Sequence, residues 1–155
     1  ADAELRPAVD AAESEGVFAE FSSVASLVEC MFMGEMKNFL LTAVHDLDKL
    51  QLPLTLDVTQ GTENYTVMRG EEQIVKAGDM MISDQEGVIS SILYGPDQRT
   101  QITSNTQNVI FTVYAPPGIG EQTVRDHLQH IRDYVLVFAL QTQVEYLRVY
   151  GGSGT

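Results

Sequence analysis

Three short stretches of the chain carry side chains whose types and spacing could do chemistry. The first is HDLDKL, residues 45–50, where His45 is followed by Asp46 and Asp48. A histidine oriented by a carboxylate is a common general base near neutral pH. The same residues also suit a helix C-terminus, because His45 and Lys49 would favour the negative end of the helix dipole. The stretch alone favours the helix terminus and leaves catalysis by His45 open.

The second stretch is RDHLQHIRD, residues 125–133, which places His127 and His130 three residues apart beside Asp126 and Asp133. This spacing would permit a metal site on one helix face. However, the sequence has neither an HExxH pattern nor a cysteine near these histidines. We therefore expect a solvent-exposed helix face here, with no metal and no other cofactor.

The third stretch is ILYGPDQRTQITSNTQNVIFTVYAPPGIG, residues 92–120. Its Gly95-Pro96-Asp97 segment predicts a turn, and Arg99 supplies a cation in a chain that has 9 basic residues. Hydroxyl groups follow that can bind backbone, phosphate or carbonyl groups: Thr100, Thr103, Ser104 and Thr106. A long hairpin would explain the same residues, so a ligand loop and a plain hairpin both stay open.

Composition and known motifs narrow the choice of function. The 22 acidic residues against 9 basic ones give a formal net charge of −13, which argues against a general polyanion binder. Any nucleic-acid partner would have to be held by a local patch. No GxSxG elbow, Walker loop or dinucleotide fingerprint is present. The single Cys30 and the lack of a signal-peptide or membrane-span pattern lead us to expect one globular, cytoplasmic domain.

Two long helices are predicted near the ends of the chain. Apolar residues recur at intervals of three and four from Val24 to Val44, which predicts an amphipathic helix of about twenty residues that starts after Ser22 or Ser23. Gly34 within it would allow another element to pack closely. A second helix is predicted over residues 121–140.

Between the helices, short segments with turn residues predict strands. They cover residues 54–59, 65–69, 73–75, 80–83, 88–93 and 109–115, with a further strand at 144–150. The first should be half-buried, whereas the apolar run at 109–115 predicts burial on both faces. The fold class is therefore α+β, a mostly antiparallel sheet of short strands packed against two long helices. Residues 1–22 form an uncertain helix or extension, 23–150 the domain, and 151–155 a flexible or engineered tail.

Several segments of the chain, in this order, resemble motifs of one known family. They are His45 with the DLDKL that follows, a strand at 54–59 with a GTE turn at 61–63, RGEEQ at 69–73, AGDMMISDQEG at 77–87, and Tyr94-Gly95 followed by TSNTQNVIF at 103–111. Together they resemble the B3/B4 domain, the tRNA-editing region of the phenylalanyl-tRNA synthetase β subunit, and more closely the free-standing B3/B4-like proteins. The resemblance covers residues 23–150.

The resemblance implies a hydrolytic pocket between sheet and helix that removes a wrongly attached amino acid, tyrosine in the synthetase, from the 3′ end of a tRNA. The residues expected to line the pocket are His45, Gly95, Arg99, Thr103, Thr106 and Thr112. His45 would orient water or substrate, Arg99 would meet a phosphate or carboxylate, and the threonines would hydrogen-bond the ligand.

Two positions depart from the family pattern. Thr112 stands where the family has a glutamate, and Pro96 where it has a second glycine. Two functions therefore remain open. The chain binds an aminoacyl-tRNA end and hydrolyses mischarged aminoacyl-tRNA, or it is a noncatalytic RNA-binding, small-ligand-binding or interaction module that keeps the fold.

Overall fold

The structure is a computed structural model that describes residues 19–151, with side chains described from Val24 onwards. The chain divides into two compact units. One contains the described residues up to Leu40 and from Ala115 onwards, and the other is Leu41–Tyr114. The expectations for residues 1–18 and 152–155 lie outside the described residues.

The first unit contains two helices that pack against each other, α1 (Ala19–Asn38) and α2 (Glu121–Phe138). Both predicted helices are confirmed. The buried residues of α2 are spaced by three and four: Val124, His127, Ile131 and Val135. Cys30 of α1 is also buried, which raises the pKa of its thiol to about 11. Gly34 of α1 lies so near Ile131 that a Cβ on Gly34 would come within 2.7 Å of Ile131 Cγ1, which confirms the predicted close approach.

The first helix is shorter at its C-terminal end than its apolar pattern predicts. Phe39 has a φ of 55°, the left-handed conformation that often ends a helix, and its N–H donates to Glu35 O over 2.7 Å. The chain is extended from Leu41 onwards. Placing His45 at a helix C-terminus is therefore wrong: Ala43 and Val44 continued the helical spacing by coincidence, and both are buried in a strand.

Two further predictions for this unit are also wrong. His127 is fully buried, so its helix face is not solvent-exposed there. Asn38 Nδ2 lies 3.0 Å from His127 Nδ1 and 3.3 Å from His130 Nδ1, so both histidines contact the end of α1. Residues 144–150 form no strand in the structure, although their residue types favour one.

The second unit consists of short strands and one 3₁₀ turn, Leu47–Lys49. The strands are β1 (Leu41–Asp46), β2 (Thr55–Val58), β3 (Asn64–Thr66), β4 (Glu72–Ile74), β5 (Met80–Ser83), β6 (Val88–Ser91), β7 (Gly95–Pro96) and β8 (Val109–Tyr114). They form three antiparallel sheets, β1-β8, β2-β5-β6-β7 and β3-β4. The predicted α+β class with antiparallel strands is confirmed.

Burial within this unit follows position in the sheets. Ile82 and Ile89 lie on the central strands β5 and β6 and share a cluster with Leu50 and Tyr114. By contrast, β2 is an edge strand that pairs only with β5, and all four of its residues are exposed, which corrects the half-buried prediction. The prediction that β8 is buried on both faces is also wrong, because only Tyr114 is fully buried and the other five residues are partly exposed.

Candidate functional site

His45 lies on β1 in the two-stranded sheet with β8. In the register of this pair, His45 is opposite Ile110 and Ala43 is opposite Thr112. Directly paired residues share a face of the sheet, and alternate residues return to the same face. His45 and Thr112 are therefore diagonal neighbours on one face, a separation of roughly 7–8 Å in an antiparallel sheet.

The acidic residues next to His45 do not orient its ring. Because successive side chains of a strand point to opposite faces, Asp46 points away from His45. Asp46 instead accepts hydrogen bonds from the Asp48 N–H over 3.1 Å and from the Thr106 hydroxyl over 2.7 Å. The HDLDKL segment therefore holds the loop before β8 in place.

A buried chain of polar groups reaches His45 from a different part of the sequence. His45 Nδ1 lies 2.8 Å from Thr100 Oγ1. The Thr100 hydroxyl donates a hydrogen bond to Asp97 Oδ1, and the Thr100 N–H donates to the same oxygen over 3.2 Å. All three residues are buried, and His45 and Thr100 are completely so. Asp97 is therefore the carboxylate that is linked to His45, through Thr100.

The other side of the His45 ring has no hydrogen-bond partner within the part of the chain that the structure describes. Among the residues that the structure describes, His45 Nε2 and Thr112 Oγ1 are the two buried side-chain polar atoms without a hydrogen bond. Buried polar groups are nearly always satisfied, because an unsatisfied one costs about 1–3 kcal/mol. Two such atoms on one face of a sheet therefore mark a position where a polar group of a ligand, or a water molecule, would be held.

His45 is neutral at physiological pH. Burial and, to a smaller extent, the nearby Arg99 together lower the pKa of its imidazole from 6.5 to about 4, while Asp84 opposes the shift. Burial also raises the pKa of the Asp97 carboxyl, although its hydrogen bonds with Thr100 oppose this. A neutral imidazole keeps one nitrogen as a hydrogen-bond acceptor, so His45 can orient a water molecule without carrying a charge.

Arg99 is surrounded by carboxylates. Its guanidinium lies 2.8 Å from Asp84, 3.4 Å from Glu86 and 3.8 Å from Asp97, and it donates to Lys49 O over 3.1 Å. Burial tends to raise the pKa of Asp84, but the Gln51 N–H and Arg99 outweigh burial and hold that pKa below its usual value. Arg99 thus forms an ion pair with the buried Asp84. Because carboxylates already balance the positive charge of Arg99, this residue is poorly suited to bind a phosphate.

Arg99 also lines an open cleft of about 530 Å³ within the second unit. The walls of the cleft come from residues 64–66, 86–88 and 97–99, and neither His45 nor Thr112 is among them. Asp97 belongs both to the cleft wall and to the polar chain that ends at His45. The structure therefore places Arg99 beside the cleft, whereas His45 and Thr112 share one face of the β1-β8 pair.

The remaining expected site residues hold the backbone in shape. Gly95 has a φ of 79°, a conformation that favours glycine, and its carbonyl accepts a hydrogen bond from the Tyr65 hydroxyl over 2.6 Å. The Thr103 N–H donates to Thr106 Oγ1 over 2.9 Å, and Thr103 Oγ1 accepts from the Asn105 N–H. The hydroxyls of both threonines thus bond within the protein, and their contacts with a ligand remain a prediction.

Local sequence patterns do not identify Asp97 and Asp84 as site residues. Asp97 follows Gly95-Pro96 in the predicted turn, and Asp84 lies within the AGDMMISDQEG segment that carries the family resemblance, but neither carboxylate is predicted to belong to the site. Thr100 is one of several hydroxyl-bearing residues in the stretch 92–120, and nothing in the sequence distinguishes it from the others. Only the pairing of distant segments brings Asp97 and Thr100 to His45.

Other kinds of site receive no support from the described part of the chain. No group of three or more His, Cys, Asp and Glu side chains within residues 19–151 could hold a metal ion. In the same range, every helix is too short or too polar to cross a membrane.

The solved structures include one with a similar fold. An N-terminal fragment of the phenylalanyl-tRNA synthetase β subunit from Pyrococcus horikoshii superimposes with a TM-score of 0.56 at 19% identity, over 69% of this chain and 36% of that one. At this identity the likeness concerns the fold alone.

Sequence comparison relates the chain to the same subunit. It is 32% identical over 82 residues to the phenylalanine–tRNA ligase beta subunit of Fusobacterium nucleatum, and 28% identical over 69 residues to that of Mycoplasma pneumoniae. These matches cover 52% and 44% of the chain, but about a tenth of each subunit, 10% and 9%. The family model of the B3/4 domain matches residues 33–131, which is more than half of the sequence. The chain therefore belongs to the B3/4 domain family.

Proposed function

We propose that this chain binds the aminoacylated 3′ end of a tRNA and hydrolyses mischarged aminoacyl-tRNA as an editing deacylase. The observation that carries the proposal is the buried, neutral His45, whose Nε2 has no hydrogen-bond partner among the described residues and shares a sheet face with Thr112. The relation to phenylalanine–tRNA ligase beta subunits supports a tRNA-related substrate.

The chemistry needs a positioned water molecule rather than a covalent nucleophile. Water adds to the aminoacyl carbonyl carbon, the ester bond to the ribose oxygen breaks, and that oxygen takes up the proton that the water gives up, which yields the free amino acid and the tRNA 3′ end. His45 Nε2 would accept a hydrogen bond from the water, and the Thr112 hydroxyl would bond to the water or to the carbonyl oxygen. With a pKa of about 4, His45 is a weak base, so its main contribution is to orient the water.

A deacylation assay with Tyr-tRNA(Phe) and a small set of other mischarged tRNAs tests this function. We expect turnover by the unaltered chain and a loss of about 10²-fold in His45→Asn, the cost of misplacing a positioned reactant such as the attacking water. His130→Asn is the matched control, because this half-buried histidine lies in the other unit. Turnover by the unaltered chain that does not exceed the uncatalysed rate for any substrate would contradict the proposal.

The second candidate function is a noncatalytic module that binds a small ligand. It is favoured by the three carboxylates around Arg99 and by the net charge of −13, both of which suit an amine better than a polyanion. An NMR titration with tyrosine methyl ester and, separately, with a CCA-ended RNA oligonucleotide tests this candidate. Shifts around the cleft with the ester, without hydrolysis and without a response to RNA, would favour the small-ligand module over the deacylase.

A further inference from the structure

We propose that Asp97 and Thr100 are positioning residues that hold the His45 ring with its proton on Nδ1, so that Nε2 presents a lone pair to the sheet face shared with Thr112. The number of hydrogen atoms available to the hydrogen bonds that run from Asp97 through Thr100 to His45 decides which ring nitrogen is protonated.

Thr100 has one hydroxyl hydrogen and two close polar neighbours. Its Oγ1 contacts both Asp97 Oδ1 and His45 Nδ1. An ionised carboxylate can only accept, so the hydroxyl hydrogen goes to Asp97. The bond between Thr100 Oγ1 and His45 Nδ1 then needs a hydrogen from the ring, and this places the proton of the neutral imidazole on Nδ1.

The direction of the two hydrogen bonds that link Asp97, Thr100 and His45 depends on whether the Asp97 carboxyl is ionised. A protonated Asp97 would donate to Thr100, Thr100 would donate to Nδ1, and the ring proton would move to Nε2. Burial raises the pKa of Asp97, but two contacts favour the ionised form. The Thr100 backbone N–H donates to Asp97 Oδ1 over 3.2 Å, and Arg99 Nε lies 3.8 Å from Asp97 Oδ2.

The consequence concerns the unpartnered pair of atoms. With the proton on Nδ1, Nε2 is an acceptor, and the Thr112 hydroxyl is both donor and acceptor. A group with an O–H or N–H, such as a water molecule or an amine, therefore fits between them. With the opposite tautomer, the position would instead require an acceptor beside Nε2. The use of this lone pair in hydrolysis rests on the proposed function, whereas the tautomer does not.

A ¹⁵N NMR spectrum of the histidine rings at pH 7, recorded on the full chain without ligand, measures the tautomer directly. The signals of His45 are assigned as those missing from His45→Asn. We expect a protonated Nδ1 and an unprotonated Nε2 in the unaltered protein. A protonated Nε2 in the unaltered protein would overturn the proposal.

Two substitutions at one position test the role of Thr100. Thr100→Ser keeps the hydroxyl and should keep the Nδ1–H tautomer, whereas Thr100→Val keeps the shape, removes the hydroxyl and should shift the proton towards Nε2. An unchanged tautomer in a folded Thr100→Val variant would contradict the assignment of Thr100.

If the deacylase function holds, Thr100→Val should also lower kcat by about tenfold or more with little change in KM, and Thr100→Ser should restore it. A misplaced tautomer costs about 10⁴ in kcat in the serine-protease triad. The predicted tautomer in a chain that shows no turnover would support the positioning role and contradict only the deacylase function.

Discussion

Thr112 and His45 lie diagonally across the β1-β8 pair, and each places a buried polar atom without a partner, among the described residues, on the same face. Folding alone does not explain this arrangement, because each unsatisfied atom costs stability. The two residues therefore offer a test that separates stability from function.

We expect Thr112→Val to stabilise the free protein by about 1 kcal/mol, because valine has nearly the same shape and removes a buried hydroxyl that has no partner among the described residues. Urea unfolding at pH 7 measures the change, and Thr112→Ser, which keeps the hydroxyl, is the control. In the assays of function the same variant should lose activity or ligand binding. A loss of stability above about 1 kcal/mol would mean that the hydroxyl is satisfied in the native state.

The pKa of His45 predicts how stability depends on pH. Its folded value of about 4 lies below the ordinary 6.5, so the unfolded chain takes up a proton first as the pH falls. As far as His45 is concerned, the free energy of unfolding is therefore highest above pH 6.5. It falls progressively between pH 6.5 and pH 4 by about 3 kcal/mol, at about 1.4 kcal/mol per pH unit.

Urea unfolding at pH 7, 6 and 5 tests this effect by comparing the unaltered chain with His45→Asn. The free energy of unfolding should depend less steeply on pH in the variant than in the unaltered chain. The pH dependence that remains in the variant should include the effect of His127, whose pKa is also lowered by burial. Equal slopes in both proteins would show that His45 has no lowered pKa.

Gly34 should not tolerate a side chain. Alanine gains about 1 kcal/mol of helix propensity, but its Cβ would meet Ile131 Cγ1 at 2.7 Å, and Ile131 is almost completely buried. Overpacking typically costs 1–3 kcal/mol, so we expect Gly34→Ala to destabilise by about 1 kcal/mol net. In an Ile131→Ala background the clash disappears, and Gly34→Ala should become neutral or stabilising. Additive effects of the two changes would contradict the close contact.

Arg99 should matter for folding before it matters for any ligand. Arg99→Gln leaves the buried Asp84 without its cation, so we expect a loss of about 2 kcal/mol or more. Asp84→Asn in the same chain should recover part of it, which a double-mutant cycle would measure. If Arg99→Gln is instead as stable as the unaltered chain and weakens only ligand binding, Arg99 is a binding residue, as its sequence context suggested.

Local patterns in the sequence predicted much of the fold. The spacing of apolar residues predicts α1 and α2, and the turn residues around Gly70, Gly78 and Gly87 separate strands close to where the structure has them. These features are local, because helix periodicity and turn geometry depend on residues a few positions apart. The order of motifs likewise indicated the B3/4 family.

The predictions from sequence are wrong where the spacing of apolar residues fits both a helix and a strand, or where the burial of a strand depends on residues distant in sequence. The apolar residues Leu40, Ala43 and Val44 continue the spacing of α1, but the left-handed Phe39 ends the helix and the strand that follows pairs with β8. The alternation in β2 looked half-buried, yet an edge position leaves it exposed.

The sequence alone determined that His45 is a candidate for chemistry, but it suggested the wrong carboxylates. Asp46 is adjacent in sequence and points to the opposite face, because strand residues alternate. Asp97, about fifty positions away, reaches His45 through Thr100. Tertiary structure alone decided this partner, since antiparallel pairing and a buried hydrogen-bond chain join segments whose separation along the chain carries no local signal.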